Sequence, residues 1–72
     1  MKPKRQPNWK TWYTVEMRGM TPIHRYNREE AMDLAMALTN WHPGKYVMVF
    51  KNHEDWSVGP KEVARFRNGD KL

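Results

Sequence analysis

No cysteine occurs in this chain of 72 residues. A domain of that length buries a small share of its surface, and extracellular domains of similar size make up the deficit with disulfides or thiolate-held metals. Neither staple is open to this sequence. Its core has to come from large side chains, and four Trp, three Tyr and two Phe supply them. Rings bury much area per residue, so a few can close a small core. A domain this small cannot hide all of them, and an exposed Trp is a frequent interface anchor. The missing thiols fit a reducing cytoplasm. No apolar run approaches the roughly 20 residues of a membrane span, and the basic start runs into Trp9-Lys10-Thr11-Trp12 rather than an apolar leader. The expected location is therefore cytoplasmic, with no membrane partner.

Lys and Arg number 13 against 8 Asp and Glu, a net charge of +5. The excess sits at the two ends. Residues 1–10 hold Lys2, Lys4, Arg5 and Lys10 with no acid, and the last residues add Lys61, Arg65, Arg67 and Lys71 against Glu62 and Asp70. Between Thr11 and Val58 the charges nearly cancel. This layout predicts a small, nearly neutral folded unit with basic arms that seek polyanions or acidic protein surfaces.

Residues 1–9 carry two prolines and three cations and read as a disordered arm. From Thr11 to Arg18 the residues alternate, which predicts a strand with Tyr13, Val15 and Met17 toward the core. Gly19 to Pro22 breaks the run, and Ile23 to Tyr26 returns antiparallel as a hairpin. Asn27 suits a helix N-cap, with Glu30 three residues on. The helix then places Ala31, Leu34, Ala35, Leu38 and Trp41 on one stripe and ends at His42-Pro43-Gly44. Tyr46 to Phe50 is strongly β-prone and apolar on both sides, so it reads as a central strand with the helix on one face. Its other face, if uncovered, is a binding surface.

Trp56-Ser57-Val58 reads as a short fourth strand. Residues 60–67 read as a conditional basic helix, with Pro60 at its first position and Val63 and Phe66 on one side. The expected class is α+β: a small antiparallel sheet of three to four strands with one packed helix, in the order ββαββ, with flexible basic N- and C-terminal arms. Its expected divisions are an arm over 1–9, a compact domain over 10–59 and a basic tail over 60–72.

No enzyme site can be composed from these residues, so no catalytic residue is expected. There is no thiol, Ser57 is the single serine, and His24, His42 and His53 lack metal-ligand spacing. The four glycines all stand at breaks, where none forms a phosphate-cradling loop. Neither a cofactor nor a metal is expected. Two binding functions remain open. Basic arms with Trp9, Trp12 and Phe66 suit single-stranded DNA or RNA, by phosphate neutralisation and base stacking. An acidic helix face at Glu29, Glu30 and Asp33 opposed to cationic arms suits a large protein partner docked at two patches.

The run Trp12-Tyr13-Thr14-Val15-Glu16, a short strand ending at Tyr26, a Glu-Glu-Ala-Met-Asp-Leu-Ala helix ending at Trp41, the Pro43-Gly44 connection and the strand from Tyr46 to Lys51 carry a resemblance. Over residues 11–51 the chain resembles small lytic-phage regulators that bind the host RNA polymerase, inhibit initiation and promote antitermination. The resemblance implies a non-enzymatic protein that occupies the polymerase large subunits and hinders σ factor engagement in the host bacterial cytoplasm. The better-known inhibitor of this shape is acidic, whereas this chain is basic, which favours an acidic polymerase surface or nearby nucleic acid. Charge and exposure nominate Lys4, Arg5, Trp9, Lys10 and Trp12 as partner-binding residues, followed by Arg65 and Arg67. The alternative is a single-stranded DNA or RNA binding module.

Overall fold

In the computed structural model, residues 10–55 and 57–72 are described. They form five strands and one helix: β1 (Thr11–Met17), β2 (Ile23–Arg25), α1 (Arg28–Trp41), β3 (Tyr46–His53), β4 (Lys61–Arg67) and β5 (Asp70–Lys71). The sheet is antiparallel throughout, in the spatial order β2-β1-β3-β4-β5. The α+β class is as the sequence predicts, while the sheet has more strands than expected and the order is ββαβββ.

Alternation in β1 works as read. Tyr13, Val15 and Met17 are buried and meet Val47 and Val49 of β3, both fully buried, and Ala64 and Phe66 of β4. Helix α1 closes this face. Asn27 caps it, its side-chain oxygen accepting from the backbone N–H groups of Glu29 (2.8 Å) and Glu30 (3.2 Å). Two N–H groups at the helix start thereby find a partner. The buried residues of α1 are Ala31, Ala35, Leu38 and Thr39, spaced as one helical stripe. Leu34 is only partly buried at the margin. Trp41, expected on the stripe, is 69 % exposed. The stripe ends on Leu38 and Thr39, and Trp41 falls past it in the last helical position.

The C-terminal third departs most from the sequence reading. Residues 60–67 are not a helix or a loose tail, since β4 pairs along β3 and sends Phe66, 2 % exposed, into the core. The folded unit therefore runs past residue 59 to the end of the chain. Ser57 and Val58 lie in a turn rather than a fourth strand, and Trp56 falls outside the described residues. The disordered arm expected over 1–9 also lies outside them.

A two-residue loop, Asn68-Gly69, joins β4 to β5, with Arg67 opposite Asp70. Both loop residues have positive φ (53° and 81°), the geometry of a type I′ turn that suits the twist of a hairpin. This turn is tied to the helix. Thr39, fully buried, donates its hydroxyl to the Met36 carbonyl (2.7 Å) and accepts from the Gly69 N–H (2.7 Å). Asn68 Oδ1 accepts from the Gly44 N–H (2.9 Å), so the turn also holds the loop after α1.

Thr39→Val keeps the shape but leaves the Gly69 N–H without its partner. The expected loss is about 1–3 kcal/mol, read from the urea midpoint at unchanged slope. Asn27→Ala removes the cap at an exposed site and should cost about 1 kcal/mol by the same measurement.

Candidate functional site: an open sheet face

With the single helix on one side, the opposite face of the sheet is uncovered among the described residues. Strand register places Trp12, Thr14 and Glu16 of β1 on it, followed by Tyr46, Met48, Phe50 and Asn52 of β3. Residues Arg65 and Arg67 of β4 stand beside Met48 and Tyr46. Trp12, Met48 and Phe50 are half-buried by their neighbours, and Tyr46 is 45 % exposed.

A β-bulge shapes this face. The pairing of β3 with β4 moves from Val49–Ala64 to Phe50–Glu62, so Val63 is the extra residue. Glu62 and Arg65 are three apart in a strand and would ordinarily point to opposite sides. The bulge brings both to the open face, where Arg65 holds the Glu62 carboxylate with two hydrogen bonds of 3.0 Å. The Arg65 guanidinium keeps the Glu62 carboxyl below its ordinary pKa, and Glu62 in turn raises that of Arg65. Arg67 lies over the Tyr46 ring, 4.9 Å from its centre, and donates to the Tyr46 hydroxyl at 3.0 Å. Both arginines are thus held flat against the sheet by neighbours.

A second polar cluster crosses three strands. Thr14, only 5 % exposed, accepts from the Asn52 side-chain amide (2.7 Å) and has His24 Nδ1 at 3.0 Å. With the imidazole protonated on Nε2, the Thr14 hydroxyl donates to Nδ1, and both its hydrogen-bonding roles are filled. This fixes the short edge strand β2 to β1 on the open side.

The residues nominated from sequence divide three ways. Lys4, Arg5 and Trp9 lie outside the described residues. Lys10 is exposed at the root of β1, its carbonyl accepting from the Glu54 N–H at 2.8 Å. Trp12, Arg65 and Arg67 share the open face, although the sequence reading places Trp12 in the first strand and the arginines in a separate tail. Tyr46, Met48 and Phe50 are the additional members of the face. Their signal was the apolar run on both sides of β3.

Among the described residues, no group of three or more His, Cys, Asp or Glu is placed to hold a metal ion. No helix among them is long and apolar enough to cross a membrane. The sequence matches no protein-family model, and neither the curated proteins nor the solved structures give a match.

A lowered carboxylate pKa contributes stability above the unfolded value and loses it as pH falls through the folded value. The contribution of Glu62 is therefore present at neutral pH and disappears below the ordinary carboxylate range. Glu62→Gln should flatten that part of the acid limb in a plot of urea midpoint against pH, with added salt reducing the difference between the two proteins.

Proposed function

We propose that the chain is a non-enzymatic, stoichiometric protein-binding regulator whose recognition surface is the open sheet face. The observation that carries the reading is the composition of that face. It presents Trp12, Tyr46, Phe50, Met48, Arg65 and Arg67, the residue types enriched at the centres of protein interfaces, and no lysine. Its charges nearly balance, Arg65 and Arg67 standing against Glu16, Glu62 and Asp70. A surface built mainly to track a phosphate backbone carries a clear positive excess. This one suits a partner that offers apolar area rimmed by both signs of charge.

For the partner, the reading takes bacterial RNA polymerase. Its support is the phage-regulator resemblance over residues 11–51, whose order of two strands, helix and strand is the order of β1, β2, α1 and β3. The mechanism is competition: the chain occupies a surface of the large subunits, hinders σ factor engagement and thereby lowers initiation, with antitermination as a second consequence of staying bound. The aromatic residues of the face set the lifetime of the complex, and the basic N-terminal residues Lys4, Arg5 and Lys10 speed its formation.

The test uses tagged full-length chain and purified polymerase without nucleic acid. Phe50→Lys sets a long cationic side chain opposite Glu62 at a half-buried position of the open face, from which its ammonium reaches solvent. It should weaken polymerase capture by roughly tenfold or more, as loss of an interface anchor does, with an unchanged circular dichroism spectrum. Wild-type capture unaffected by Phe50→Lys overturns the assignment of the face. A wild-type chain that neither binds polymerase nor alters run-off transcription overturns the partner.

A further inference from the structure

The end of the sheet where β1 begins and β3 ends carries cations that the open face does not use. Lys51 and Lys61 are direct cross-strand partners in the β3–β4 ladder, and both are exposed. Like charges in that position destabilise a sheet. Neither has an ion-pair partner among the described residues, where the one salt bridge is Arg65–Glu62. The two lysines flank a cleft of about 190 Å³ whose remaining lining is Asn52, His53, Val58 and Gly59. His53 Nδ1 accepts from the Asp55 N–H at 3.0 Å, which in the neutral ring leaves Nε2 as a donor. Glu62, next to Lys61 in the chain, is turned to the open face and held there by Arg65, and the loop after β3 carries Glu54 and Asp55. Asp55 is turned into that loop, accepting from the Ser57 N–H (3.0 Å) and hydroxyl (2.7 Å). Thr11 pairs with His53, so residues 1–10, with Lys2, Lys4, Arg5 and Lys10 and no acid, join the sheet at this same end.

We infer that this end of the sheet is a second binding site, for the phosphodiester backbone of nucleic acid, with Lys51 and Lys61 as its phosphate-binding side chains. A repulsive pair left unneutralised beside a cleft, where the chain's densest run of cations also attaches, is the pattern of a surface that completes its charge balance with an external polyanion. The site stands apart from the protein-binding face. Val47, Val49 and Lys51 alternate onto the helix side of β3, whereas Met48 and Phe50 alternate onto the open side. A regulator with both surfaces can hold a protein and an adjacent nucleic acid together.

The experiment measures binding of a fluorescent oligothymidylate to the full chain by anisotropy across a salt series. Wild type should bind with an affinity that falls linearly in log–log terms with salt. The double variant Lys51→Ala, Lys61→Ala should reduce that slope by about 1.4, since each single-strand phosphate that a lysine ceases to neutralise is worth about 0.7. Lys61→Glu should weaken oligonucleotide binding by roughly tenfold at low salt while raising the urea midpoint, because it sets opposite charges across the ladder. A lysine that serves packing alone cannot give these opposite signs. Phe50→Lys, which adds a cation, should not weaken oligonucleotide binding, and Lys61→Glu should leave polymerase capture unchanged, so the two sites fail independently. An unaltered slope in the double variant overturns the inference. So does binding to anionic phospholipid vesicles with none to the oligonucleotide, or loss of oligonucleotide binding in Phe50→Lys as large as in Lys61→Glu.

Discussion

The pairing of Val47 and Val49 with β1 on one side and β4 on the other is the interaction on which the remainder of the fold depends. Both valines are fully buried, and the helix closes over the layer they share with Val15 and Phe66. The strand that supplies them is apolar on its other side as well, through Tyr46, Met48 and Phe50. Among the described residues, one helix serves two such faces. That helix covers one face and no described residue covers the other, and the aromatic character of the open face follows from the same sequence run that makes the central strand.

Two devices turn that leftover face into a defined surface. The bulge at Val63 shifts β4 so that Glu62 and Arg65 meet on one side, and the Asn68-Gly69 turn returns the chain so that Asp70 stands beside Arg67. Ion pairing and stacking keep the arginine side chains from wandering, which lowers the ordering cost of any partner that docks on them. The basic end lies beyond the reach of these pairs. There, Lys51 and Lys61 face each other across the ladder, with no ion-pair partner among the described residues.

Local patterns that need no long-range partner were legible in the sequence: the alternation of β1, the Asn27 cap, the helix and its stop at Pro43-Gly44. The C-terminal third was misread because two periodicities competed there. Val63 and Phe66 fit a helix, while Ala64 and Phe66 inward with Arg65 and Arg67 outward fit a strand. The Asn68-Gly69 pair directly after them is a strong hairpin signal and favours the strand. Trp41 was misplaced for a different reason. The helical stripe admits both Trp41 and Thr39 as its last member, and only the hydrogen bond from Gly69, thirty residues away, selects Thr39. Of the open face, Trp12, Arg65 and Arg67 stand out in the sequence by residue type, but their common face depends on β1 and β4 both flanking β3, which no local pattern specifies.

The central claim is that the open face, and not the helix side, is what a protein partner covers. Hydroxyl-radical footprinting of the full chain, alone and with purified bacterial RNA polymerase, tests it directly because reactive side chains stand on both sides. Protection of Tyr46, Met48 and Phe50, with Met36 and Trp41 of the helix labelled as in the free chain, is the predicted result. Protection of Met36 and Trp41, with the sheet residues still labelled, would contradict the account and place the partner on the helix.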